Sequence, residues 1–253
     1  MPRKKRAAGF YCGTSNIVLP VPNKDHFPEA FKDKSRLHYY ASLFPSVEIN
    51  STFYKIPMPR TVERWAQEVP ADFRFTFKLW RGITHEKELS YSIGDIERFA
   101  DAVRMAGDKC GALLVQFPGS VKASRLRQVR QLLNDLQLTA SLKKFDIAVE
   151  FRDAGWYAEP VYAVLEDLNV GIVIHDKPQS ATPYIEQDVP FRYLRFHGPS
   201  GDYRGRYTEE ELEDHSLSVS HWLSEGRRVY AYFNNTIGDA FGNAEYMKGV
   251  AEQ

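Results

Sequence analysis

Cysteine is nearly absent from this chain. Cys12 and Cys110 are the only two, so a disulfide-stapled secreted scaffold is not expected. Neither sign of charge is in excess: 33 basic and 33 acidic side chains cancel. That balance argues against a surface that binds polyanions everywhere, while leaving room for a local basic cleft. No apolar run approaches the ~18 residues of a membrane helix, and no apolar stretch follows the basic residues Arg3 to Arg6 as a signal peptide would require. These absences make a cytoplasmic protein with no membrane partner the expectation. Three nucleotide and nucleophile motifs are also missing: GxGxxG after a strand, GxxxxGK[ST] and GxSxG. Nor is there an HxH or HExxH pair. No cofactor and no metal are therefore expected. Low-complexity linkers are missing too, so one domain over residues 10–253 is expected, preceded by a flexible basic tail at residues 1–9.

What is present is a repeated kind of segment. Short β-rich runs recur about every 20 to 40 residues: 10–13 (FYCG), 46–51 (SVEINS), 73–79 (FRFTFKL), 112–117 (ALLVQF), 146–151 (DIAVEF), 171–175 (GIVIH), 192–197 (RYLRFH) and 229–233 (VYAYF). Between them lie stretches with apolar residues at helical spacing, at 37–43, 60–68, 93–105, 126–138, 159–168 and 208–223. Thr208 and Glu211 read as a capping box, and Gly107 as a stop signal. Eight strands alternating with helical crossovers predict an α/β fold of the TIM-like (β/α)8 barrel type, and 253 residues suit one such domain.

Alternation along the strands sharpens this expectation. Val47 and Ile49 share a parity that leaves Glu48 and Asn50 on the other. Phe75 and Phe77 oppose Thr76 and Lys78; Val149 and Phe151 oppose Glu150 and Arg152; Leu194 and Phe196 oppose Arg195 and His197. Gln116 and Asn234 fall on the same polar parity. In a barrel one parity faces the helices and the other the axis, and the polar set clusters at the strands' C-terminal ends, where barrels keep their chemistry.

The expected mouth thus holds two carboxylates, three cations and an imidazole, a set suited to acid–base work. Glu150 is the first choice for moving protons, His197 the second acid–base group, and Lys78 an electrophile or anchor. A Schiff-base role for Lys78 has least support, because nothing nearby in sequence marks a desolvating pocket. Arg195, Arg152, Glu48, Asn50, Gln116, Asn234 and the amide of Gly198, at the start of a small-residue loop, are the substrate-binding candidates. The surplus of cations points to a small anionic substrate, phosphorylated or sugar-like. A buried ion network that merely closes the barrel would use the same residues. Two other readings compete. One is a metal-dependent phosphodiesterase or DNA-repair nuclease using Glu48, Glu150, His175, Asp176 and His197. Against it, the cations would repel a divalent ion, and parity keeps His175 and Asp176 from both pointing inward. The other is a non-catalytic module for a ligand or nucleic acid. Cys12 is expected to be a small buried side chain, and the aromatics near the strand ends (among them Tyr40, Phe53, Trp80 and Trp156) to serve in core or rim packing.

Several segments together resemble the domain of unknown function 72, the YecE-like family. They are 47–54 (VEINSTFY), 73–78, 83–85 (ITH), 114–118 (LVQFP), 149–152 (VEFR) with Trp156, 195–198 (RFHG), 203–207, and 232–236 (YFNNT) with Asn243 and Ala244. The resemblance spans roughly residues 10 to 247. It implies a TIM-like barrel and supplies no catalytic roles. One departure stands out: after Gly13-Thr14-Ser15 the family usually continues Gly-Trp-Ser-Tyr, whereas this chain has Asn16-Ile17-Val18-Leu19-Pro20, so a reshaped first loop is expected.

Overall fold

The computed structural model describes residues 9–183 and 185–251; the basic run at residues 3–6, and all of the expected tail but Gly9, lie outside the described residues. Eight strands form a parallel ring: β1 (Phe10–Thr14), β2 (Ser46–Ile49), β3 (Arg74–Lys78), β4 (Cys110–Phe117), β5 (Asp146–Phe151), β6 (Gly171–His175), β7 (Phe191–Phe196) and β8 (Arg228–Phe233). Their order is β1-β8-β7-β6-β5-β4-β3-β2. The remaining seam, between β1 and β2, is bridged at Ser15 and Glu48, where the Asn16 N–H donates to the Glu48 carbonyl at 2.7 Å. Lower on the seam the Tyr40 hydroxyl takes the place of a ladder bond. It accepts from the Thr14 N–H at 2.7 Å and donates to the Ser46 carbonyl at 3.1 Å. Gly13 makes this closure possible, since a Cβ there would lie 2.1 Å from the Ser46 carbonyl oxygen.

Nine α-helices lie among the described residues: α1 (Arg36–Leu43), α2 (Ser51–Tyr54), α3 (Pro59–Glu68), α4 (Arg81–Thr84), α5 (Ile93–Val103), α6 (Leu126–Leu138), α7 (Glu159–Asp167), α8 (Glu209–Ser224) and α9 (Ala240–Ala251). Their sequences explain them. Ile96, Phe99, Ala100 and Val103 form the buried face of α5, and Val129, Leu132, Leu133 and Leu136 that of α6. The Thr208–Glu211 capping box opens α8. The helix expected over 93–105 ends at Val103 and tightens into a 3-10 turn broken at Gly107, whose φ is +63°. Helices α2, α4 and α9 are additions to the expected set. The first two are single turns that leave no periodic trace, and α9 carries Gly242 and Gly249, which blur its pattern. No helix among the described residues is long and apolar enough to cross a membrane.

The alternation holds around the ring. Val47, Phe75, Phe77, Val115, Val149, Phe151, Leu194, Phe196 and Phe233 belong to the large core between barrel and helices, together with Cys12. A separate cluster of Ala112, Leu114, Ala148, Val173, Phe191, Tyr193, Tyr230 and Tyr232 fills the axis. Cross-barrel bonds confirm its direction: the Tyr232 hydroxyl, on β8, lies 2.5 Å from Ser46 Oγ on β2 and 2.7 Å from Thr76 Oγ1 on β3. This aromatic plug supports the polar layer above it.

Candidate active site

Arg195 stands at the centre of that layer. From β7 its guanidinium reaches across the axis to carboxylates on two strands that are not its neighbours. Nε and Nη2 donate to Glu48 on β2 at 3.0 Å, and Nη1 donates to Glu150 on β5 at 3.0 Å. All three are sealed, with relative exposures of 2%, 0% and 0%. Ser15 Oγ and Tyr193 Oη each donate to Glu48 at 2.5 Å. Burial alone would raise the Glu48 pKa, but Arg195 and these two hydroxyls outweigh it and hold the group below its ordinary value. Burial acts likewise on Glu150, and Arg152 and Arg195 together hold it well below the usual carboxylate range. Both carboxylates are therefore ionised at neutral pH.

His197 joins this layer to the β6 loop. Its Nε2 lies 2.9 Å from Arg152 Nη2 and 3.2 Å from Arg195 Nη1, so it accepts. The other nitrogen, Nδ1, then carries the proton and donates to Asp176 Oδ1 at 3.2 Å. Burial lowers the His197 pKa to about 4 against the opposing pull of Asp176. The imidazole is thus neutral, with both nitrogens engaged. Asp176 also accepts from the His197 N–H at 2.8 Å and from the Tyr207 hydroxyl. The exclusion of His175 or Asp176 by parity is corrected here: both adjoin His197, the His175 ring at 5.6 Å edge-on. Asp176 follows the last residue of β6, where the pleat no longer dictates direction.

Lys78, at the end of β3, differs from every other cation in the layer. Its Nζ lies 4.1 Å from the centre of the Phe53 ring on α2, and among the described residues no carboxylate lies within ion-pair distance of it. Thr52 Oγ1 donates to the Lys78 carbonyl at 2.7 Å and to that of Ile49 at 2.8 Å, fixing α2 and its Phe53 over the strand end. Burial, reinforced by the Arg195 charge, lowers the Lys78 pKa to about 7, while Glu150 and Glu48 pull it the other way. Phe53, on this single helical turn, is a cover over the Lys78 amine that the sequence did not disclose.

The rim is more open. Asn50, Gln116, Arg152 and Asn234 keep partial exposure. Gln116 Nε2 donates to the Phe117 carbonyl, and Asn234 is held through its N–H on the Phe196 carbonyl. Three atoms here are buried without a hydrogen bond: Asn50 Oδ1, Arg152 Nε and Glu150 Oε1, the last in ion-pair contact with Arg152 Nη2 at 2.5 Å. The first loop reaches this rim through Asn16, whose Oδ1 accepts from the Asn50 N–H at 3.1 Å. Gly198 is placed differently from expectation. Its N–H donates to Tyr207 Oη at 2.6 Å, and at φ +94° a Cβ would meet the Arg204 carbonyl oxygen at 2.1 Å. The loop's own packing therefore accounts for the glycine. As to a metal, Glu48 and Glu150 are turned onto Arg195, and among the described residues no three His, Cys, Asp or Glu side chains group as an ion requires.

Ser15, Tyr193 and Tyr207 are site residues that the sequence reading does not single out, and Asp176 enters that reading only as a candidate metal ligand. Parity marks Tyr193, while the others lie in loops and are reached only through the fold.

Residues 11–253 match the family described as "Protein of unknown function DUF72". Among curated proteins, the UPF0759 protein YunF of Bacillus subtilis is 27% identical over 87% of this chain and 88% of its own length. Among solved structures, a DUF72 family protein of Enterococcus faecalis superposes with a TM-score of 0.78 at 25% identity, covering 96% of each chain. A DUF72 family protein of Thermotoga maritima gives 0.68 at 26% identity, covering 96% of this chain and 99% of its own. With an eight-stranded barrel, a polar layer at its C-terminal end and a match over nearly its whole length, this chain belongs to the DUF72 family.

Proposed function

We propose that this protein is an enzyme that transfers a proton on a small polyhydroxylated or anionic, sugar-like substrate at the C-terminal mouth of its barrel. Lys78 carries the reading. A buried amine with no carboxylate partner, poised near neutral pH, is the form in which lysine serves as acid or base. The roles around it shift accordingly. Glu150, locked between two guanidinium groups, tunes the field rather than moving the proton. Arg195 is fully occupied and holds the carboxylates. Two residues of the partly exposed rim keep an unmet polar atom: Arg152 Nε offers a donor, while Asn50 Oδ1 requires one. A ligand that both accepts and donates, as a hydroxylated compound does, meets both.

The test is a metabolite screen by thermal shift, followed by turnover of the hits. With Lys78 as base, kcat/KM is expected to rise with pH through a midpoint near 7. Replacing Lys78 with methionine should cut turnover by about 10²- to 10⁴-fold, and Asn50→Ala should weaken binding of the same ligand. Turnover unchanged in the Lys78 variant would overturn the reading.

A further inference from the structure

We propose that Lys78 acts as a covalent nucleophile, forming a Schiff base with the carbonyl carbon of a hydroxy-aldehyde or hydroxy-ketone, such as an open-chain sugar. This inference rests on the functional reading above and deepens it by naming the substrate's reacting group. Its support is the surroundings of one nitrogen. The Nζ packs 4.1 Å from the Phe53 ring centre, and that ring meets His85 edge-on at 4.9 Å. The charged groups that bear most on Lys78 can be named. From β2 and β5 the carboxylates Glu48 and Glu150 act on it, and from β5 and β7 the guanidinium groups of Arg152 and Arg195. From α4 comes Arg81, also over the Phe53 ring, and just past that helix lies His85, which burial and Lys78 itself keep neutral. Both carboxylates are already bound to guanidinium groups, so the ammonium form has neither water in quantity nor an anion of its own. An anchor for an anionic substrate would be built to stay charged. Burial and the neighbouring guanidinium groups favour loss of its proton, against the pull of the Phe53 ring and of both carboxylates, and burial and adjacent cations are the two means by which amines are activated for carbonyl attack.

The step balances without any further reagent. The Nζ lone pair forms the C–N bond as the carbonyl π pair moves to oxygen, which takes up a proton released from nitrogen and gives a carbinolamine. Loss of the hydroxyl with a second proton from nitrogen releases one water and leaves the imine; hydrolysis reverses the sequence. No electron is gained or lost.

Reductive trapping tests the assignment. The protein is incubated at pH 7 with limiting glycolaldehyde or dihydroxyacetone and sodium cyanoborohydride, digested, and mapped by mass spectrometry. The Lys78 peptide should acquire the secondary-amine mass at least about 10-fold faster than the exposed Lys34 and Lys55. The adduct should vanish from that peptide in Lys78→Arg, which keeps the charge and length of the side chain. Labelling of Lys78 no faster than of Lys34 and Lys55 would overturn the proposal. Loss of turnover in the methionine variant without any adduct on the native Lys78 would also overturn it, while leaving the proton-transfer reading in place.

Discussion

Replacing Arg195 with leucine should destabilise the barrel by about 3–5 kcal/mol at neutral pH, the largest effect of any single substitution in the polar layer. The guanidinium makes three hydrogen bonds to Glu48 and one to Glu150, all in a place closed to solvent. Without it Glu48 keeps only the hydroxyls of Ser15 and Tyr193, and a buried carboxylate with hydroxyl partners alone remains an uncompensated charge. Glu150 retains Arg152 and suffers less. The pH dependence should reverse as well. In the native protein Glu48 and Glu150 have lowered pKa values, so their contribution is present above the unfolded carboxylate value and is lost as pH falls through the folded one. In the leucine variant burial dominates, the Glu48 pKa rises, and stability is greatest in acid and falls as pH rises. Urea unfolding of both proteins between pH 4 and 8 measures the two slopes. Adding Glu48→Gln to the leucine variant should restore part of the loss; failure to do so would place the damage in packing rather than in charge.

The same layer should contain one residue whose removal strengthens the fold. Lys78→Met keeps the length and apolar stem of the side chain while deleting the ammonium that the pocket disfavours. The folded pKa of about 7 lies below the ordinary 10.5, so between these values the unfolded chain binds more protons and native stability rises with pH. Below pH 7 both states are protonated and the whole penalty of burying the charge is present. The methionine variant escapes it. Its advantage should therefore be greatest below pH 7, on the order of a few kcal/mol, and should shrink toward zero by pH 10.5. A gain in stability accompanied by loss of turnover is the signature of a strained functional group. Equal stability at pH 6 and pH 9 would contradict it.

Much of this site is legible in the sequence because a strand has only two faces. Once eight runs are recognised, parity alone places Glu48, Lys78, Glu150, Arg195 and His197 on the axis and Val47, Phe77, Val149 and Phe196 against the helices. Partnership is another matter. Arg195 binds Glu48 and Glu150 because β7 confronts β2 and β5 across a closed ring, a relation that no local pattern encodes. Asp176 escaped the alternation rule by lying one residue past the end of β6, and Tyr207 reaches it from the far end of the loop. The state of Lys78 was hidden for a different reason. The ring that covers its amine belongs to Phe53, on the one-turn helix Ser51–Tyr54, and four residues are too few to show a helical period. Gly198 was misleading in the opposite sense, since a glycine admitted for a close carbonyl looks in sequence like a glycine admitted for a ligand.

The proposed chemistry depends on an amine held close to neutrality inside the barrel mouth. Carbon-13 labelling of the lysine ε-carbons, with Lys78→Met to assign the resonance, reads that proton directly in a pH titration of the native protein. A midpoint near 7 for Lys78 is the predicted result. A midpoint near that of an unperturbed lysine, about 10.4, would mean an ordinary solvated ammonium and would contradict both the proton-transfer site and the Schiff base.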